Sequence, residues 1–151
     1  MAVYKIFPSK DATIYSEYSV MNTGLDSILA CSSYVSDDSG QVCRTLIQFS
    51  DIEINNVLNN LVSSSTFNVY LRLFASNVDG INLDNIIEAY PISGSWGMGT
   101  GREGDIIQNT NGVSWEYRTA SGSNSWVTSS FSTYVTASFH PSYSGGGTWY
   151  T

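Results

Sequence analysis

The residues that could do chemistry are few. The chain has one histidine, His140, which lies between Phe139 and Pro141. A Ser-His-Asp triad or a histidine-based metal site would have to use it, and either needs defined partners. A surface or structural role is the simpler reading. Cys31 and Cys43 lie at equal distances from Asp37, in the two arms of a predicted hairpin. That spacing places them opposite each other, where a disulfide is allowed only in a narrow geometry. Two free buried thiols, packing as small apolar groups, are the default expectation. A disulfide would imply maturation outside a reducing compartment. No Cys-x-x-Cys pair is present, so zinc is not expected.

The carboxylates Asp11, Asp26, Asp37, Asp38, Asp51, Asp79, Asp84 and Asp105 fall mostly in turn-like surroundings. A turn aspartate ordinarily bonds its own backbone. The functional alternative is a Ca²⁺ site made of turn carboxylates and backbone carbonyls. No EF-hand pattern is present, and the sequence places no metal. Glu88, Glu103, Asp105 and Glu116 could in principle supply a glycosidase pair, but their spacing singles out no two of them. Gly97-Met98-Gly99-Thr100-Gly101 has the glycine density of a phosphate loop without its Gly-Lys-Ser/Thr ending, so a turning loop is the reading. No cofactor and no catalytic residue is expected.

Tryptophans remain: Trp96, Trp115, Trp126 and Trp149, in a chain that is 13% aromatic. Exposed Trp and Tyr stack on sugar rings or anchor protein partners, while most aromatic residues fill cores. Trp96, Trp115 and Trp126 are the candidate glycan or partner contacts, and Trp96 stands out because glycines surround it.

Strands must position these groups. Val3–Phe7, Ala12–Tyr15, Ile28–Val35, Val42–Phe49, Phe67–Ala75, Asn85–Ile92, Val113–Arg118, Trp126–Thr128 and Tyr134–Phe139 read as strands. The second pair of long runs forms a hairpin across Ser36–Gln41. In Phe67–Ala75, Phe67, Val69, Leu71, Leu73 and Ala75 alternate with Asn68, Tyr70, Arg72 and Phe74, a period of two. Ile52, Ile54, Val57, Leu58, Leu61 and Val62 follow a helical spacing after Asp51, a candidate cap. The asparagines among them limit this to one or two turns. Residues 93–112 read as a long glycine-rich loop, a kind of segment that often carries function. The fold expected is all-β: one antiparallel β-sandwich domain over residues 1–151, jelly-roll-like, with at most one short helix. Its core would use Ile14, Leu29, Leu46, Ile47, Phe49, Val69, Leu71 and Leu73. The ending Gly147-Thr148-Trp149-Tyr150-Thr151 resembles the opening of a further strand, which suggests truncation at the C-terminus or pairing with a neighbouring subunit.

Charge narrows the classes. The net charge is −7, and the six basic residues are scattered singly. No basic stripe exists to neutralise a nucleic-acid backbone or an anionic membrane. No apolar run spans a bilayer, and the first residues lack the blocks of a signal peptide. Charged residues are 13% of the chain, about half the usual share. This composition is common in secreted, cell-wall and virion proteins.

The order of short motifs carries a resemblance. It runs through Asp11-Ala12-Thr13-Ile14-Tyr15, Asn22-Thr23-Gly24, Leu29 onward and Arg44-Thr45-Leu46-Ile47-Gln48-Phe49. It continues through Tyr70-Leu71-Arg72-Leu73 and Ser93-Gly94-Ser95-Trp96. This order resembles the DNRLRE-type domain, a β-sandwich similar to carbohydrate-binding modules, found in surface and secreted proteins and in structural proteins of tailed phages. Trp96–Trp126, with Asn111-Gly112-Val113-Ser114-Trp115, resembles the forms seen in marine phage virions. The family's closing strands would follow Trp149. The resemblance implies a virion structural protein, in the capsid or tail. Its partners would be other virion proteins and copies of itself, with a host-surface glycan as a further contact. The alternative it implies is a carbohydrate-binding module, free or appended to a larger protein. It supplies no catalytic residue.

Overall fold

Residues 8–15 alternate small polar and apolar side chains and begin with a proline, which tolerates the first position of a strand. In the computed structural model they form one strand, β1 (Pro8–Tyr15). The structure describes residues 3–34, 41–60, 67–76, 87–92 and 94–126. Strand β2 is short (Ser32–Tyr34), β3 runs over Gln41–Phe49, and a helix α1 covers Asp51–Asn60. The sheet order is β1-β3-β2. Strands with one short helix are what the all-β reading expects at that level. The separate strand expected at Val3–Phe7 is not formed; the strand begins where that run ends.

β2 and β3 pair antiparallel with Ser32 opposite Cys43, Ser33 opposite Val42 and Tyr34 opposite Gln41. The hairpin is therefore offset by one residue from the symmetric register that would oppose Cys31 to Cys43. A one-residue slip sends a side chain to the other face. Cys31 is accordingly exposed and Cys43 buried, and both are free thiols. The expectation of two buried thiols holds for Cys43 alone. The Cys43 thiol instead meets the Ser32 hydroxyl at 2.9 Å.

One face of the β1/β3 sheet is the core. Ala12, Ile14 and Leu46 pack with Trp96, Val113, Trp115 and Trp126, with Val42, Ile92 and Met98 beside them. Thr13 points the opposite way and is also fully buried. Its hydroxyl accepts from the Ala30 N–H at 3.0 Å, and the Thr45 hydroxyl donates to the Ala30 carbonyl at 2.9 Å. The chain around Ala30 thus covers the second face. Thr23 lies along β1: its hydroxyl donates to the Thr13 carbonyl at 2.6 Å and accepts from the Thr13 N–H at 3.2 Å. Both backbone groups of Thr13 find partners in one side chain, which satisfies buried polar atoms that would otherwise be costly.

α1 is longer than one or two turns, with ten residues. Its cap is Ser50 and not Asp51. The Ser50 hydroxyl accepts from the Glu53 N–H at 3.4 Å, and the Ser50 carbonyl accepts from the Ile54 N–H at 3.0 Å. Ser50-Asp51-Ile52-Glu53 has the Ser-x-x-Glu spacing of a capping box. Asp51 and Glu53 in the first turn suit the positive end of the helix dipole. None of its residues is buried.

Two compact units divide the chain. One holds residues 3–9, 48–60, 67–76 and 87–88; the other holds 10–34, 41–47, 89–92 and 94–126. The core cluster belongs wholly to the second unit. In the first, residues 67–75 form no strand, and Val69, Leu71 and Leu73 are exposed. These three leave the expected core list, since no described sheet neighbour covers them. Leu29, Ile47 and Phe49 are half-buried, while Ile14 and Leu46 are fully buried. Residues 87–92 form no strand. Val113–Arg118 contributes only one bridge, Tyr117 to Ser125. The expectations at Thr128, Tyr134–Phe139, His140, the turn 36–40 and the C-terminal residues lie outside the described residues.

Candidate functional site

The longest irregular segment begins at Gly94 and continues past Asn111. A loop of this length needs something to hold its backbone, and a single buried side chain does much of it. Asn22 is fully buried. Its amide nitrogen donates to the Met98 carbonyl at 2.7 Å and to the Val113 carbonyl at 2.9 Å. Its amide oxygen accepts from the Gly101 N–H at 2.8 Å and the Gly24 N–H at 3.3 Å. Both donor hydrogens and both acceptor positions of the amide are used. The Asn22 backbone N–H adds a bond to the Asn109 carbonyl at 2.8 Å.

This arrangement explains the glycines. A Cβ on Gly99 would strike the Asn111 carbonyl and the Asn22 amide, and one on Gly112 would strike the Asn22 amide nitrogen. A Cβ on Gly101 would meet the Asn22 carbonyl, and one on Gly24 the Met98 carbonyl. Gly99 also has φ +76 and Gly112 φ +153, values at which a side chain is strained. The glycine-rich loop is therefore shaped to wrap an asparagine, in keeping with the expected turning loop. Further ties come from Gly97 N–H to the Arg118 carbonyl at 2.8 Å and Val113 N–H to the Gly97 carbonyl at 2.7 Å.

The sequence's candidate contact residues lie inside this structure. Trp96, Trp115 and Trp126 are 6%, 3% and 3% exposed. They are core residues, and the expectation of open stacking faces at these positions is corrected. The Trp126 indole N–H donates to the Ser114 carbonyl at 2.9 Å. The Arg44 guanidinium lies 4.7 Å from the centre of the Trp115 ring, and burial pulls it down to about 10, so it stays charged at neutral pH. The Lys10 ammonium sits 4.5 Å from the centre of the Trp96 ring and donates to the Trp96 carbonyl. Burial lowers its pKa. Two cations laid on indole rings were not legible as such, since Lys10 and Trp96 are 86 positions apart. Each adds a modest cation–π attraction to the packing.

Beyond the pinned base, the loop is exposed and carries acids. The Asp26 carboxylate accepts from the Glu103 N–H, with both oxygens at 3.3 Å. Asp105 accepts from the Arg102 N–H at 3.0 Å, the local turn role expected for such an aspartate. The Tyr15 hydroxyl donates to Glu103 at 3.4 Å. Burial, with the Glu103, Cys43 and Asp26 charges after it, pushes Tyr15 up to about 12. Past these residues Ile106 and Ile107 project fully into solvent, at 103% and 87% exposure. Among the described residues, no group of His, Cys, Asp or Glu is placed to hold a metal ion. No helix of the described residues is long and apolar enough to cross a membrane.

The arrangement can present a rigid loop and an apolar tip to a partner. It brings together no nucleophile, base and oxyanion donor among the groups described. In comparison with known proteins, no family model, no curated protein and no solved structure matches this chain.

Proposed function

We propose that this chain is a structural protein of a tailed-phage particle, a β-sandwich of the capsid or tail used in several copies. The observation that carries the structural reading is where apolar surface remains uncovered. Val3, Phe7, Ile52, Val69, Tyr70, Phe74, Ile87, Ile106 and Ile107 are each more than two-thirds exposed. Exposed apolar surface on this scale marks a chain that associates with other protein. The low charge and the all-β pattern agree with assembly. The phage attribution and the jelly-roll sandwich rest on the motif order that resembles the DNRLRE-type domain. Asn22-Thr23-Gly24 and Asn111-Gly112-Val113, two of those motifs, are the two sides of the asparagine clamp.

The second reading is a carbohydrate-binding module. The buried tryptophans give it no stacking face, so it would depend on exposed aromatic residues such as Tyr18 and Tyr70. Glycan-array binding that disappears in Tyr18→Ala or Tyr70→Ala, with the fold retained, would favour it. The structural reading is tested by adding tagged chain to particles and sedimenting them through a gradient. Saturable co-sedimentation that displaces the native copy supports it; a chain that remains at the top of the gradient in every condition counts against it.

A further inference from the structure

Residues 67–75 read Phe-Asn-Val-Tyr-Leu-Arg-Leu-Phe-Ala, the most regular alternation in the chain. Sequence of this kind favours a paired strand. Yet the segment is in no strand, and no backbone hydrogen bond joins residues 67–76 to any other described residue. Its large apolar side chains are 52–84% exposed. Unpaired extended backbone with apolar side chains is a template for another strand.

We propose that this segment pairs antiparallel with the same segment of a second copy of the chain, about a twofold axis at Leu71. The argument is the self-complementarity of the sequence in that register. Leu71 meets Leu71 of the second copy, Val69 meets Leu73, and Phe67 meets Ala75, so one face of the ribbon is wholly apolar. On the other face Tyr70 meets Arg72, and Asn68 meets Phe74. The centred register pairs all nine residues. It sets the one charge, Arg72, against a tyrosine ring that can accept a cation. Arg72 already lies 5.9 Å from the Phe74 ring centre on that face, so the cation would rest between two aromatic residues. Parallel in-register pairing would instead oppose Arg72 to Arg72, and like charges directly opposite are destabilising. An isologous contact of this kind closes on itself as a dimer.

One strand pair is small beside a standard interface, so association in the micromolar range or weaker is expected. The pairing does not depend on the phage assignment.

The test uses the full chain. Sedimentation velocity over a wide concentration range should show a monomer–dimer equilibrium. Leu71→Lys removes two facing leucines and opposes two ammonium groups, and should weaken dimerisation by about a hundredfold. Its tryptophan emission should be unchanged, because Trp96, Trp115 and Trp126 belong to the other unit. Register is read by cross-linking in a Cys31→Ser background. Under mild oxidation Leu71→Cys should form a dimer with itself. Val69→Cys and Leu73→Cys should cross-link with each other when mixed, and each poorly with itself. A chain that stays monomeric, or one whose cross-linking ignores position, would overturn the proposal.

Discussion

Replacing Asn22 should be among the most damaging single changes available in the described part of the chain. Asn22→Ala removes the described partners of four backbone groups: the Met98 and Val113 carbonyls and the Gly24 and Gly101 N–H groups. Leaving a buried polar group unmatched costs about 1–3 kcal/mol. The Gly24 bond is long, and the space left could admit a water that recovers part of the loss. A net destabilisation of about 3–5 kcal/mol follows, a large share of an ordinary domain's 5–15 kcal/mol. Urea unfolding followed by tryptophan fluorescence reads it directly, because three tryptophans sit in the same core. The midpoint should fall with the slope unchanged. Asn22→Asp adds a control of the same shape. An ionised carboxylate there could accept from the two N–H groups but would face two carbonyls with nothing to donate. The folded state should therefore hold the proton, raising the carboxyl above its unfolded value of about 3.9. A folded state that binds more protons than the unfolded one loses stability as pH rises. Asn22→Asp should thus weaken progressively above pH ~4 relative to Asn22→Ala. A loss below about 1 kcal/mol in Asn22→Ala would refute the clamp.

The glycines make a paired test. Gly99→Ala combines positive φ with a clash against the Asn111 carbonyl and the Asn22 amide, and should cost about 3 kcal/mol or more; Gly104→Ala, with nothing within 4 Å, should be close to neutral by the same unfolding assay. Alkaline stability should report Tyr15. Its folded value of about 12 exceeds the unfolded one, so the neutral phenol belongs to the fold, and stability should decline as pH rises from about 10 through 12. Tyr15→Phe should remove that decline, and an unchanged profile would discount the Glu103 contact. Thiol labelling of the native chain should modify Cys31 and spare Cys43; labelling at neutral pH should be slow, since burial, with the Cys43 charge, raises the Cys31 thiol. Equal labelling of both, or neither until a reductant is added, would contradict the offset hairpin.

How much of this was legible depended on range. The β2/β3 hairpin and the helix could be read from local pattern, since periodicity and turn residues act over a few positions. The one-residue offset could not, because a turn of six residues does not set register by itself. The Ser50 cap was legible from Ser-x-x-Glu, although Asp51 is the more conspicuous acid. Asn22 was visible only as part of a motif. Its partners Met98, Gly101 and Val113 lie 76 to 91 positions away, and nothing in local sequence announces such a contact. The glycine density of residues 97–101 was the signal, and wrapping a buried amide is its cause. The tryptophans failed as surface candidates for a general reason. Large aromatic side chains in a chain with few other big apolar groups near them are needed as core. Phe67–Ala75 illustrates the opposite limit: alternation marks a two-faced segment without naming what it faces.

Peptide mass spectrometry of purified phage particles tests the central claim most directly. The account predicts that peptides of this chain copurify with capsid and tail proteins in fixed proportion to them, through density banding and a high-salt wash. Peptides found only in the soluble lysate, and absent from banded particles, would contradict it.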